Sequence, residues 1–219
     1  MSNLLELRDI GKNYGDDIIL SKVSFTLTKG TAVAIIGHSG GGKTTLLSIM
    51  GLLQKATVGT VLVDGQDIEQ LDPSRLAKLR GEYLSFVFQR ARLINSLTAL
   101  ENVMAPAWFI RSGKNVENEA KNLLNNFGMS HRLHYKPQEL SLGQLRRISL
   151  ARALLLKPPI LLADEPTNDL DPVLADEVTE CLLAARTGGA GVVIVTHDSA
   201  LAARADQTFR LEEKTLRLA

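Results

Sequence analysis

The stretch "GHSGGGKTT", residues 37–45, combines residue types that can hold a phosphate chain. It fits the spacing G-x-x-x-x-G-K-[ST]. Glycines let backbone N–H groups curl around an anion, and the start of a helix adds partial positive charge. The lysine can lie against the β- and γ-phosphates, and the first threonine hydroxyl can ligate Mg²⁺. The predicted nucleotide contacts in this stretch are Gly37, His38, Ser39, Gly40, Gly41, Gly42, Lys43, Thr44 and Thr45.

A second stretch, "ILLADEP", supplies carboxylates directly after an apolar run. Asp164 can hold Mg²⁺ through water, and Glu165 can polarise an attacking water molecule. Taken alone, this pattern is also that of an ordinary strand end. Downstream of a phosphate loop, it indicates metal-assisted hydrolysis of a nucleoside triphosphate.

These stretches need a scaffold, and the apolar pattern predicts a sheet. "TAVAIIG" (31–37), "ILLAD" (160–164) and "GVVIV" (191–195) are short apolar runs without alternation, typical of strands buried on both faces of a parallel sheet. "KVSFTLTKG" alternates like a half-buried strand. Residues 96–140 are more polar and helical in pattern, and "NEAKNLLNNFG" has one apolar face. The chain is therefore predicted to be α/β with a helical segment inserted.

Composition limits the classes of function. The chain of 219 residues is 45% apolar and 22% charged, which is typical of a globular protein. Lys plus Arg (25) nearly equals Asp plus Glu (24), which argues against a protein that coats nucleic acid. A single cysteine, Cys181, excludes an internal disulfide and favours a reducing compartment. No signal peptide or run of ~20 apolar residues is evident, so we expect any membrane role to require a partner.

Seven motifs, in order along essentially the full chain, resemble those of the ATP-binding subunit of ABC transporters. Besides the phosphate loop and the carboxylate pair they are "GKNYGD", "FVFQ", "LSLGQ", "NDLD" and "IVTHD". The resemblance implies an α/β P-loop NTPase (RecA-like) fold with a parallel-sheet core, an antiparallel β subdomain and an inserted helical subdomain. It also implies one domain over 1–219, with the core and β subdomain in 1–90 and 141–219 and the helical subdomain in 91–140.

The resemblance also implies residue roles, with ATP and Mg²⁺ as cofactors. Tyr14 would stack on adenine, and Asp171 would end a loop that crosses a dimer interface. Residues implied in catalysis are Glu165, His197, Lys43 and Gln89. Residues implied in metal binding are Thr44, Gln89 and Asp164. Nucleotide contacts outside the phosphate loop are implied for Tyr14, Ser141, Gly143 and Gln144, the last three acting on ATP held by a second subunit.

"LSLGQ" departs from the family pattern L-S-G-G-Q at Leu142. Ser141 and Gln144 have the spacing of a capping box, so a helix is predicted to begin here. Leucine keeps the backbone N–H, and therefore no donor is lost. Two hypotheses follow: either Leu142 points away from the phosphate and the site works, which we favour, or it obstructs closure and slows turnover.

The resemblance implies an ATPase that powers a membrane transporter or mechanotransmission complex. It would act as a head-to-tail homodimer, bound to a separate integral membrane permease on the cytoplasmic face of the membrane. The motifs are most similar to the lipoprotein-release, macrolide-export and cell-division group. One alternative is a regulatory ABC ATPase that moves no substrate. Another is a DNA-repair or translation ATPase, although we expect no nucleic-acid partner. Trp108 is expected to pack within the helical segment; the alternative, which the resemblance implies, is a position near the groove that receives the membrane partner.

Overall fold

A computed structural model describes residues 2–110 and 116–219, which contain two sheets. The first sheet is antiparallel, in the order β2-β1-β4-β5. Its strands are β1 (Asn3–Tyr14), β2 (Asp17–Thr28), β4 (Val58–Val63) and β5 (Gln66–Asp67). The second has the order β10-β9-β3-β8-β7-β6. Its strands are β3 (Ala32–Gly37), β6 (Leu84–Val87), β7 (Ile160–Asp164), β8 (Gly191–Val195), β9 (Gln207–Glu212) and β10 (Thr215–Leu218).

In the second sheet, β9, β3, β8, β7 and β6 pair in parallel, and β10 alone is antiparallel. Its central strands are buried on both faces, as their unbroken apolar runs predict. Along β8, Val193 and Val195 pack toward the antiparallel sheet, whereas Val192 and Ile194 pack toward helices on the other face. Because β3, β7 and β8 are parallel, the loops that follow them lie at one edge.

The antiparallel sheet covers one face of this core. Val23, Phe25 and Leu27 alternate inward along β2, which confirms the predicted half-buried strand. At the turn between β4 and β5, Asp64 and Gly65 both have positive φ, 49° and 74°. Two left-handed residues form the turn that joins twisted antiparallel strands tightly, and Asp-Gly supplies them at low cost.

The helices of the described chain are α1 (Lys43–Met50), α2 (Pro73–Tyr83), α3 (Ala99–Met104), α4 (Ala107–Ile110), α5 (Val116–Asn126), α6 (Leu142–Leu154), α7 (Pro172–Thr187) and α8 (Ser199–Ala202). A separate apolar cluster joins α3, α5 and α6, with Val103, Leu124 and Ile148 fully buried in it. The helical segment therefore packs on α6. The α/β fold with parallel and antiparallel sheets is confirmed, and the subdomain limits at 90 and 140 stay a prediction.

Contrary to the expectation, Trp108 does not pack inside this segment. Its side chain is 53% exposed on α4, and the neighbouring Phe109 is 88% exposed. The apolar cluster of this segment is formed by smaller residues such as Ala107 and Val103, and Trp108 is not part of it. The helical segment therefore presents large apolar side chains to its surroundings.

Candidate functional site

The glycine-rich loop lies between the end of β3 and the first turn of α1. Gly40 and Gly42 have φ of 76° and 91°, which a side chain would strain. Gly42 is the N-cap of α1. At Gly37 a Cβ would lie 2.6 Å from the carbonyl oxygen of Leu211, so only glycine fits at this close approach. The loop consequently aims backbone N–H groups and the start of a helix at one open volume, as anion binding requires.

The ammonium group of Lys43 is held inside this loop. The residue is 7% exposed, and Nζ donates to the carbonyl oxygens of Gly37 and His38, each at 2.9 Å. Lys43 forms no salt bridge with a carboxylate in the described part of the chain. An ammonium has three hydrogens, so one remains for a further acceptor. A buried cation without an ion pair, at the start of a helix, favours a polyanionic ligand.

Asp164 stands opposite, at the carboxyl end of β7. The Thr44 hydroxyl donates to its Oδ1 at 3.4 Å, which brings together two of the predicted metal-binding residues. Burial raises the pKa of Asp164, the Thr44 hydrogen bond opposes the rise, and the charge of Glu165 adds to it. A hydroxyl beside a carboxylate is a hard oxygen donor set, which fits Mg²⁺.

We expect Asp164→Asn to stabilise the metal-free chain at pH 7.5. A carboxyl whose folded-state pKa is raised contributes stability only at low pH and loses it as pH rises through the folded pKa. The amide removes that penalty, so the melting temperature in EDTA should rise at pH 7.5, and the gain should vanish below about pH 4. Thermal melts of both proteins across this range measure it. An equal gain at both ends of the range would contradict ionisation as the cause.

Glu165 and His197 are in direct contact. His197 Nδ1 lies 2.8 Å from Glu165 Oε2, and the His197 backbone N–H donates to the same oxygen at 3.3 Å. Glu165 has φ of 43°, and its own N–H donates to the Val195 carbonyl at 2.9 Å. The Glu165 side chain is 16% exposed, and that of His197 is 66% exposed. The loop after β8 therefore fixes the carboxylate by two hydrogen bonds, a contact that sequence reasoning did not anticipate.

Most of the predicted site residues line one cleft of about 610 Å³, whereas Gly37, His38, Gly41 and Asp164 lie outside its lining. Its lining residues are Ile19, Ser39, Gly40, Gly42, Lys43, Thr44, Thr45, Gln89, Glu165, Asn168 and His197. Sequence reasoning missed Ile19 and Asn168. Ile19 reads as an ordinary strand residue, whereas the polar "TND" before Asp171 was a signal for Asn168. Tyr14 lies outside this lining, 48% exposed at the end of β1, with Lys12 Nζ 5.0 Å from its ring centroid.

The residues of "LSLGQ" lie in a second concavity, of about 410 Å³. The predicted capping box is present: Gln144 N donates to Ser141 Oγ at 3.4 Å, and Ser141 N donates to Gln144 Oε1 at 3.0 Å. Leu142 opens α6 and is 53% exposed. A Cβ on Gly143 would lie 2.9 Å from Leu174 Cδ2, so any larger residue at this position would have to displace the Leu174 side chain. Asp171 lines the same concavity and caps α7.

A parallel sheet that leads through a glycine-rich loop into a helix, with carboxylates at the ends of neighbouring strands, defines a P-loop nucleoside triphosphatase. The model of the family described as ABC transporter matches residues 20–168, and the chain belongs to that family. It is an ABC-type ATPase, the ATP-binding subunit of such a system.

Two curated relatives and two solved structures illustrate the similarity. The lipoprotein-releasing system ATP-binding protein LolD of Shewanella frigidimarina is 42% identical over 98% of this chain and 92% of its own length. The macrolide export ATP-binding/permease protein MacB of Salmonella choleraesuis is 42% identical over 97% of this chain, which covers only 34% of MacB. The ATP-binding cassette MJ0796, in a dimeric post-hydrolysis state bound to ADP and Pi, matches with a TM-score of 0.90 and 35% identity over 99% and 98% of the two chains.

A second dimeric structure of MJ0796, described as a bacterial ABC transporter cassette, gives the same TM-score of 0.90 at 36% identity, over 99% of this chain and 98% of that one. Within residues 2–110 and 116–219, no helix has both the length and the apolar character needed to cross a bilayer.

Proposed function

We propose that two copies of this chain pair head to tail around two ATP molecules, each held by the phosphate loop of one copy and the start of α6 of the other. This proposal rests on the separation of the two concavities within one chain. Lys43 lines one, Ser141 lines the other, and no described residue lines both. A second copy in the opposite orientation supplies what each cleft lacks. The dimeric state of the similar cassette supports this arrangement.

In each composite site, Glu165 acts as the general base. Its carboxylate takes a proton from water as the water oxygen bonds to the γ-phosphorus, and the bond from that phosphorus to the bridging oxygen of ADP breaks. The imidazole of His197, 2.8 Å from the carboxylate, orients it. Lys43 stabilises the negative charge of the phosphates. Thr44, Asp164 and Gln89 would hold Mg²⁺, which neutralises phosphate charge when bound. Tyr14 would contact the adenine.

A separate integral membrane permease is the proposed partner, with this chain peripheral on the cytoplasmic side of the membrane. Exposed apolar side chains on α4 support this: Phe109 is 88% exposed, and Ile110 is 40% exposed. Both line a groove of about 660 Å³, together with Gly81 of α2 and Arg92 of the loop that follows Gln89. The names of LolD and MacB, an ATP-binding protein and an ATP-binding/permease protein, fit a role in powering such a partner.

Co-purification tests the membrane role. The tagged chain should retain the integral membrane protein encoded beside it, and Phe109→Asp should abolish retention while ATP binding survives. Leu218→Asp is the matched control, since Leu218 is 68% exposed on β10, away from the groove. ATPase activity that rises with a transported compound indicates a transporter rather than a regulatory switch. Equal retention by Phe109→Asp and the wild type would overturn the assignment of this groove.

We expect Leu142→Gly to change kcat by less than about threefold, because both residues offer the same backbone N–H. Gly143→Ala is the matched comparison at the next position. It should lower kcat further, because its Cβ would press on Leu174 2.9 Å away. Steady-state phosphate release measures both. A rise of about a hundredfold or more in Leu142→Gly would show that Leu142 obstructs closure.

A further inference from the structure

Arg146, about one turn into α6, is joined to the loop that carries Gln89. Its Nη1 donates to the carbonyl oxygen of Phe88 at 2.7 Å, and its Nη2 donates to that of Gln89 at 2.5 Å. The planar guanidinium thus spans two successive backbone carbonyls, a geometry that lysine cannot reproduce. The residue is 3% exposed. Its contacts fix the point where the backbone leaves β6 and enters the loop.

Arginine is an unusual residue at so buried a position. Its Nε has no hydrogen-bond partner among the described residues. Desolvation lowers the pKa of Arg146, and the charge of Asp169 is the opposing influence. A buried cation that is bonded only to carbonyls costs folding free energy that a hydrophobic side chain would not. Packing alone therefore does not account for it.

Three nucleotide-site segments meet at Arg146. It belongs to α6, which begins beside Ser141, about 7.5 Å away along the helix axis at 1.5 Å per residue. It holds the backbone of Gln89, whose side chain lines the cleft of Lys43. It also interacts electrostatically with Asp169, in the loop between Glu165 and Asp171, and Asp169 lines the concavity of Ser141.

A second arginine of α6 extends the attachment. Arg152 Nη2 donates to the Ala91 carbonyl and Nη1 to the Arg92 carbonyl, each at 2.9 Å. Arg92 has φ of 43°, and its guanidinium lies over the Phe88 ring, 5.0 Å from the centroid. The loop is thus fixed to α6 at two points. Of these two arginines, Arg146 is the one that donates to the Gln89 carbonyl. Arg152 holds the same loop without a hydrogen bond to Gln89, so it serves as a control.

We propose that Arg146 is a positioning residue that holds Gln89 for hydrolysis and couples the two ATP sites of the dimer. Through it, the Gln89 loop at a chain's own ATP is tied to the helix whose first turn faces the ATP of the second copy. The coupling rests on the proposed head-to-tail dimer, whereas the positioning of Gln89 lies within one chain. The two parts can therefore fail separately.

A double-mutant cycle in steady-state ATPase activity tests the positioning. Arg146→Lys, which keeps the charge and loses the fork, should lower kcat about tenfold and leave the KM for ATP within about twofold. In a Gln89→Ala background the same change should lower kcat by less than about twofold. Arg152→Lys, the matched control, should lower kcat by less than about threefold in both backgrounds. If Arg146→Lys folds poorly, the cycle is measured with Arg146→Gln, which can still donate to one carbonyl.

A loss of kcat that is as large in the Gln89→Ala background as in the wild type would overturn the positioning role. Coupling is read from the Hill coefficient for ATP, which should fall to about 1 in Arg146→Lys if the wild-type value exceeds 1. A wild-type coefficient of about 1, or a coefficient that is unchanged in Arg146→Lys, would overturn the coupling. A wild-type chain that stays monomeric with ATP would instead refute the proposed dimer, and the Gln89 cycle would still decide the positioning role.

Discussion

The Glu165→Gln protein is expected to bind ATP with affinity close to that of the wild type and to hydrolyse it at least about a hundredfold more slowly. Glutamine keeps the size of the side chain and an oxygen for His197, but it cannot accept the proton of the attacking water. Lys43 and the backbone donors of the loop remain unchanged, so binding survives. Phosphate release at saturating ATP measures turnover, and calorimetric titration measures binding.

Glu212→Gln is the matched control, because it makes the same chemical change at an exposed position on β9. Its turnover should equal that of the wild type. Hydrolysis by Glu165→Gln within about threefold of the wild type would remove Glu165 from the role of base. His197→Ala should have an intermediate effect, because it removes the 2.8 Å hydrogen bond to Glu165 but leaves the carboxylate in place. Its turnover should fall between those of Glu165→Gln and the wild type.

Lys43→Ala should weaken ATP binding by about a hundredfold or more, an effect on affinity rather than on turnover alone. The ammonium is buried and held at a fixed point by two carbonyls, each 2.9 Å away, so its charge acts on a phosphate at little entropic cost. A hundredfold loss is about 2.8 kcal/mol, and one charge-assisted hydrogen bond from the remaining hydrogen of the ammonium contributes about 1.5–3 kcal/mol. Calorimetric titration with ATP in the presence of EDTA isolates the contribution of the lysine from that of the metal.

Lys55→Ala makes the same substitution at an exposed lysine whose side chain is 75% accessible, and it should leave ATP affinity unchanged. Melting curves for both variants establish that they are folded. ATP affinity in Lys43→Ala equal to that of Lys55→Ala would mean that the glycine-rich loop does not hold the phosphates.

Local sequence signals predicted much of the fold because those features depend on neighbours in the chain. Unbroken apolar runs marked β3, β7 and β8. The capping box of Ser141 and Gln144 is also local.

Tertiary contacts could not be predicted in this way. The hydrogen bond from His197 to Glu165 joins loops 32 residues apart, and that from Arg146 to Phe88 spans 58. Neither contact produces a recognisable spacing of residues in the sequence. Trp108 was expected inside the helical segment, yet the apolar cluster of that segment forms from other residues and the indole stays exposed.

The mass of the Glu165→Gln protein in solution with Mg²⁺ and ATP tests the composite site most directly. Light scattering should give a dimer with ATP and a monomer with ADP, with one ATP retained per chain. Adding Ser141→Arg should abolish the dimer and leave each chain able to bind ATP, because Ser141 lies outside the cleft of Lys43. A Glu165→Gln chain that stays monomeric while saturated with ATP would contradict a site completed by a second copy.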